Sequence, residues 1–462
     1  PFPTNPSATL DMAHYALSNL LGGMTYFYGS SLFRKDDKSP IVQTDPYSLV
    51  TAVPSRSFFP RGFLWDEGFH HLLVGQWDPD LSRKAIVHWL ASMDENGWIA
   101  REQILGPEAR SRVPQEFQVQ KPDIANPPTL LLAIEALMRH AGLFQDDAAE
   151  VEVSDDGRFV TPTNDEAIKM KRFAVYVRTR EWLCCLFPFL QEHYKWYKRT
   201  QAGPVKDSFQ WQGATKDHTF ASGLDDFPRG LAPTTQDEHV DLLAWMAMAA
   251  RLLSNIASVV GTDTTVYDDD YKRFTDRLHL HWDDFEGVYC DVGLGTPQPP
   301  ENPAKDLPKP AVMERVCHVG YVSLFPLLLQ LLPPDSDEVG RLLHVMGSED
   351  HLWSKYGLRS LSAADPLYRS GEDYWRGAIW ININFLALQA LKHYDSVPGP
   401  NQAAAADLHV RLREAVVTNI QRQFGKYGFL YENYDPVNGK GRGTRPFTGW
   451  SSLVVLILAD QY

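Results

Sequence analysis

Two acidic segments lie far apart in the chain, Ser222-Gly223-Leu224-Asp225-Asp226-Phe227-Pro228-Arg229 and Tyr431-Glu432-Asn433-Tyr434-Asp435-Pro436, with Asp225 and Glu432 separated by 207 positions. Two carboxyl groups can cleave an acetal between them: one donates a proton to the departing oxygen, and the other activates water or attacks carbon. The donor must stay protonated near neutral pH, which takes burial or a neighbouring negative charge. Asp226 beside Asp225 could supply that charge, and Arg229 could hold Asp226 ionised. A plainer role is open too, since Asp residues ahead of Pro228 suit a turn and Glu432 precedes the polar stretch 433–443.

A second set of residues could grip a sugar. In Arg61-Gly62-Phe63-Leu64-Trp65-Asp66-Glu67 an arginine, a flat ring and carboxyls fall within seven positions, and such groups bind hydroxyls and the apolar face of one hexose. Gln120, Trp375, Arg376 and Trp450 extend the set. Asp237, His239 and Asp241 open a strongly apolar stretch and could either bind substrate or cap a helix. Arg61 and Asp66 could instead pair only with each other.

No cofactor or metal is called for. His70 and His71 are adjacent rather than three or four apart, Glu238-His239 lacks a second histidine, and the four cysteines match no zinc spacing. Gly439-Lys440-Gly441-Arg442-Gly443 is no phosphate loop, because Tyr434 stands where such a loop needs glycine. A formal charge of −14 argues against nucleic acid or anionic lipid as partner and leaves a neutral ligand. The uncharged apolar runs Leu242 to Ala250 and Leu453 to Ala459 fall short of the roughly 20 residues of a membrane helix, so no membrane segment is expected. A start at Pro1 suggests a processed form or a piece of a longer protein.

The elements that must position these groups are helical, and of two alternating kinds. Amphipathic helices are expected near 8–22, 80–93, 165–200, 264–282, 336–347 and 402–424; Tyr267, Tyr271, Phe274 and Leu278, for example, recur at steps of three or four. Helices apolar all round open near Asp66, Pro127, Asp237, Cys317, Trp375 and Thr448, and must be buried on every side. Six buried helices wrapped by six amphipathic ones give an all-α (α/α)6 barrel, one domain across 1–462 with insertions near 145–165 and 296–310. An irregular helical domain or a solenoid is the alternative, although no fixed-length repeat is visible. In the barrel, the loops entering the inner helices meet at one end, with Asp225 before the third helix and Glu432 before the sixth, opposite each other across the mouth. That placement predicts a carboxyl separation of roughly 6.5–9.5 Å, the inverting range.

Arg61-Gly62-x-x-Trp65-Asp66, Ser222 to Arg229, Asp237-Glu238-His239-Val240-Asp241-Leu242, and Tyr431 to Asp435 followed by Gly449-Trp450 together resemble the processing α-glucosidases of glycoside hydrolase family 63. The resemblance implies an inverting exo-glycosidase of the endoplasmic reticulum lumen that removes the terminal α-1,2-linked glucose from the triglucosylated N-glycan precursor. Asp225 would be its general acid and Glu432 its general base. Members of that family carry an N-terminal β-sandwich domain and a membrane anchor; neither is recognised in this sequence, and contact with such a domain is expected. The looser pattern is similar to trehalases and glucoamylases as well, so a trehalase, a bacterial-type α-glucosidase or a non-catalytic glycan-binding barrel are the alternatives. A terpenoid-type barrel is disfavoured, because Asp225-Asp226 has no third Asp in its turn and is followed by Pro228.

Overall fold

The computed structural model describes residues 6–144, 164–297 and 310–462. The expected insertions near 145–165 and 296–310 fall largely outside these residues. The helices, in chain order, are α1 (Pro6–Gly23), α2 (Leu64–Trp77), α3 (Pro79–Ala91), the short α4 (Gly106–Arg110), α5 (Leu130–His140), α6 (Asn164–Thr200), α7 (Val240–Val260), α8 (Thr265–Leu278), α9 (Tyr321–Leu328), α10 (Asp337–Gly347), α11 (Ile381–Ser396), α12 (Gln402–Tyr427) and α13 (Val454–Ala459). Both expected kinds are present. On α9 every side chain is buried, whereas α8 buries Tyr267, Asp270, Phe274 and Leu278 and turns the rest outward.

Local chemistry sets the helix ends. Asp78 accepts the Asp80 and Leu81 amides at 3.0 Å ahead of Pro79, capping α3. Gly261 and Gly428 end α7 and α12 in left-handed conformation. Asn126 does not cap the helix after Pro127-Pro128, which opens only at Leu130. Its side-chain oxygen instead accepts the Trp65 amide at 3.1 Å in the first turn of α2, and its amide donates to Ala221 O.

Burial follows the alternation. The helices α2 and α5, α5 and α7, α7 and α9, and α9 and α11 pack against each other, and the 3-10 turn Trp450–Leu453 that leads into α13 packs against both α11 and α2. One apolar core runs from Met12 to Ile457. By length and composition, the 21-residue α7 could cross a membrane, longer than the nine-residue run visible in the sequence; in this fold most of it is buried as a core helix.

Periodicity did not reveal the small sheets in the connections. Met24–Gly29 pairs antiparallel with Tyr47–Ala52, Gly62–Phe63 with Glu102–Gln103, Asp291–Leu294 with Met313–Val316, and Asn433–Tyr434 with Gly441–Arg442. Cys290 and Cys317 form a disulfide across the ends of the third of these pairs, while Cys184 and Cys185 are free and exposed.

Candidate active site

A cavity of about 290 Å³ opens where the segments leading into α2, α5, α7, α11 and α13 converge. Among the described residues, none from the segment leading into α9 lines it. Four carboxyls line the cavity, those of Asp66, Glu102, Asp225 and Glu432, together with the rings of Trp65, Trp375 and Trp450 and the guanidiniums of Arg61 and Arg101. The volume is at the lower edge of the roughly 300–1,000 Å³ of small-molecule sites, so it suits one sugar ring and part of a second.

The three tryptophans form its inner wall. Trp65 meets Trp375 and Trp450 edge to face at 6.5 and 6.3 Å, and Trp375 lies flat on Trp380 at 3.8 Å. Gly223 makes the approach of the acidic loop possible: its φ is +75°, and a Cβ there would stand 3.0 Å from the Trp65 ring.

Asp225 retains some surface towards the cavity, and its backbone carbonyl accepts the Thr219 amide at 2.8 Å. Burial first of all, with Asp226, Glu432 and Glu102 adding to it against the opposing pull of Arg101, raises its carboxyl to about 7. Asp66 is also pushed well above the usual carboxylate range, by burial and then by Glu432 and Glu67. Glu432 is arranged differently. Its Oε1 accepts the Tyr374 hydroxyl, and its Oε2 accepts the Thr444 amide at 2.7 Å, so both oxygens act as acceptors, as in an ionised carboxylate. Burial, followed by Glu432 and Asp225, holds the Tyr374 phenol well above its ordinary value and keeps it a donor. Trp450 Nε1 donates to the Glu432 carbonyl at 3.2 Å.

The remaining candidates stand behind the cavity rather than in its lining. Asp226 accepts the Trp375 amide at 2.5 Å and the Tyr374 amide at 3.2 Å, while Arg376 Nε donates to its carbonyl at 2.7 Å. Arg229 is not the partner of Asp226; it pairs with Asp241 and Asp291, each at 2.6 Å. Asp241 also accepts Trp211 Nε1 at 3.0 Å, His239 Nδ1 accepts the Trp211 amide at 2.9 Å, and Asp237 accepts the Thr234 amide and hydroxyl. Glu67 faces away, taking the Ala52 amide and hydrogen-bonding His70 and His71. Gln120 accepts the Glu102 amide at 3.2 Å and donates to the Phe117 carbonyl at 3.2 Å.

Arg61 does not pair with Asp66. Its Nε donates to Glu102 at 2.7 Å, the other oxygen of Glu102 takes Arg101 at 2.7 Å, and Asp66 is left facing the cavity. Sequence reading missed Arg101 and Glu102 because only the pairing of Gly62–Phe63 with Glu102–Gln103 brings them to Arg61. It also missed Tyr374, the direct neighbour of a chosen residue, and Phe117 and Phe220. The signal available for Tyr374 was its place at the head of the Tyr374-Trp375-Arg376 run.

An all-helical fold whose helix-entry loops set carboxyls around a tryptophan-walled cavity is the architecture of the helical glycoside hydrolases. Residues 3–460 match the Glycosyl hydrolase family 63 C-terminal domain, and the chain belongs to that family. It is 39% identical to the probable mannosyl-oligosaccharide glucosidase of Schizosaccharomyces pombe, over 97% of this chain and 58% of that protein. With the mannosyl-oligosaccharide glucosidase of Saccharomyces cerevisiae it shares 37% identity, over 96% and 56%. The chain thus spans a little over half the length of these curated relatives. Its fold is also that of the family 63 mannosylglycerate hydrolase from Thermus thermophilus, crystallised with Tris and D-glycerate: the TM-score is 0.66 at 16% identity, covering 97% of this chain and 99% of that one.

Proposed function

We propose that this domain is the catalytic part of an inverting exo-α-glucosidase that removes the terminal α-1,2-linked glucose from the triglucosylated high-mannose N-glycan precursor. The observation carrying this reading is that Asp225, raised to about 7, shares one cavity with Glu432, whose two oxygens both accept hydrogen bonds. Asp225 gives its proton to the departing glycosidic oxygen as the C1–O bond breaks. Glu432 takes a proton from the water that attacks C1 from the opposite face, so the released sugar is β-glucose. The tryptophan wall packs on the glucose ring, and Asp66 and Arg61 address its hydroxyls.

The same reading makes the fold a six-plus-six α/α barrel forming a single domain, supported by the succession of packed buried helices from α2 round to the turn before α13. The location proposed for the whole protein is the lumen of the endoplasmic reticulum, a reading that rests on the resemblance of the motifs. The test is digestion of a triglucosylated high-mannose glycan beside kojibiose and trehalose, with released glucose followed over time and its anomer read by proton NMR. Release from the glycan and kojibiose as β-glucose is expected. Preferential release from trehalose would move the domain to the trehalase reading, binding without release to a non-catalytic barrel, and initial α-glucose would rule out the inverting mechanism.

A further inference from the structure

The rings of the cavity fall into two tiers. Trp65, Trp375 and Trp450 are buried at 4%, 1% and 6% exposure, whereas Phe117 is 38% exposed although it lines the same space. It is the only exposed aromatic side chain in the cavity lining among the described residues. Phe59 and Phe63 are half-buried and already engaged by the Arg61 guanidinium, at 5.9 and 4.7 Å from their ring centres.

Phe117 is rigidly mounted. It closes the short 3-10 turn Gln115–Phe117, its carbonyl accepts Gln120 Nε2 at 3.2 Å, and the next side chain, Gln118, donates to the Val113 carbonyl at 2.9 Å. Its ring meets Phe220 at 5.8 Å in a T-shape. Phe220 is fixed in turn: His218 stacks flat on it at 4.8 Å and Arg101 lies at 5.8 Å from its centre. Phe220 therefore buttresses Phe117 and leaves it the accessible ring.

Position assigns the occupant. Phe220 and Asp225 belong to one loop, closed by the Thr219 amide on the Asp225 carbonyl, so Phe117 and Phe220 stand on the acid's side of the cavity. On the proposed mechanism, on which this step rests, a general acid must touch the departing oxygen, and whatever leaves with that oxygen lies on the acid's side, outward from the tryptophan tier. We infer that Phe117 is the platform on which the first sugar of the leaving group stacks, making this residue a determinant of the leaving groups that the enzyme accepts. A flat, exposed ring braced on Phe220 suits the apolar face of a pyranose, and a braced ring loses less conformational freedom on binding than a free one. Gln120 then acts as a positioning residue, holding the Phe117 carbonyl with one end of its amide and the Glu102 backbone with the other.

Kojibiose and α-glucosyl fluoride separate this role from all others, because both deliver one glucose to the inner tier but only kojibiose has a sugar to leave. Kinetic constants on both substrates would be compared for the wild-type chain, Phe117→Ala, Phe117→Leu and Phe117→Tyr. The Ala and Leu variants should lose about tenfold in kcat/KM on kojibiose relative to their loss on the fluoride, mainly through KM, and Tyr should restore it. Phe117→Leu keeps an apolar contact with Phe220 and guards against misfolding in the Ala variant. Equal losses on both substrates, or no loss on kojibiose, would overturn the platform. A wild-type chain that turns over neither substrate overturns the glucosidase reading itself.

Discussion

The carboxylate of Asp226 accepts the backbone N–H of Trp375 at 2.5 Å, a bond that spans 149 positions of sequence. Its other oxygen takes the amide of Tyr374, whose phenol donates to Glu432. The residue beside Asp225 and the residue that holds Glu432 therefore share one anchor. The two candidate catalytic groups are set relative to each other through two consecutive hydrogen bonds of Tyr374, with the Trp375 amide bond beside the first, not by independent loops.

Removing that anchor should disturb both ends at once. Asp226→Ala leaves two amide donors inside the protein without acceptors, a cost of about 1–3 kcal/mol for each group left unpaired. Chemical denaturation should show the loss, and turnover should fall even at temperatures where the variant is folded. Tyr374→Phe is the milder probe: it deletes only the hydroxyl on Glu432, and kcat should fall by roughly ten- to a hundredfold with little change in KM. A Tyr374→Phe enzyme with unaltered kcat would detach Tyr374 from the mechanism.

The acid and base assignments are tested by Asp225→Asn and Glu432→Gln. General acid–base groups contribute on the order of 10²–10⁴-fold each. Each variant should lose at least that much in kcat while still binding glucose, as measured by calorimetry. Full activity in either would remove that residue from its role.

With Asp225 raised to about 7, its proton is retained through the weakly acidic range and given up as the pH climbs past neutrality. The alkaline limb of kcat/KM should therefore bend near pH 7, because the deprotonated carboxylate has nothing to give to the departing oxygen. The same shift has a stability consequence, and it runs in the same direction with pH. The unfolded chain releases this proton near pH 4 and the folded chain near 7, so between those values the folded state binds more protons, and the stability contributed falls as the pH rises. Above about pH 7 the whole cost is present. Asp225→Asn should match the wild type in stability at pH 4 and exceed it at pH 8, by roughly 1–3 kcal/mol once the carboxyl's contact with water is allowed for. Thermal melts at the two pH values would show it.

The helices were legible in the sequence because burial on one face or on all faces leaves its own periodicity, and α2, α7 and α12 appear close to where that pattern puts them. The start of α11 was not. The apolar run from Trp375 reads as helix, yet its first amides are taken elsewhere: Tyr374 and Trp375 by Asp226, Gly377 by Ser360 Oγ, and Ile379 by the Tyr434 carbonyl. In a helix begun at Trp375 the Ile379 amide would have to reach the Trp375 carbonyl, and it is committed to Tyr434 instead, so the helix opens at Ile381. Asp66, Asp225, Glu432 and the cavity's tryptophans were legible for a simpler reason, since charge and large rings at the entrance to a buried helix are conspicuous. Partners that depend on tertiary pairing were hidden. Sequence adjacency offered Asp226 to Arg229, whereas the fold supplies Asp291, 62 positions further on.

Arg229 gives the last prediction. Its guanidinium is buried between Asp241 and Asp291, and Asp291 Oδ1 in turn accepts the Val240 amide at 2.9 Å at the head of α7. The acidic loop is thus tied at its far end to the helix it enters and to the strand beside the Cys290–Cys317 disulfide. Burial alone would raise the Asp291 carboxyl, but Arg229 and then His239 outweigh it and leave it lowered. A lowered carboxylate stabilises the fold above its unfolded value near 4 and loses that contribution as the pH falls through the folded value. Arg229→Met leaves two carboxylates buried without their cation, which typically costs about 3–5 kcal/mol. Urea midpoints should therefore drop sharply for Arg229→Met at pH 7, and the gap to wild type should narrow below pH 4, where the carboxyls in the variant can protonate. A gap that stayed constant from pH 7 down to pH 3 would show that the ion pairs are not what holds this end of the loop.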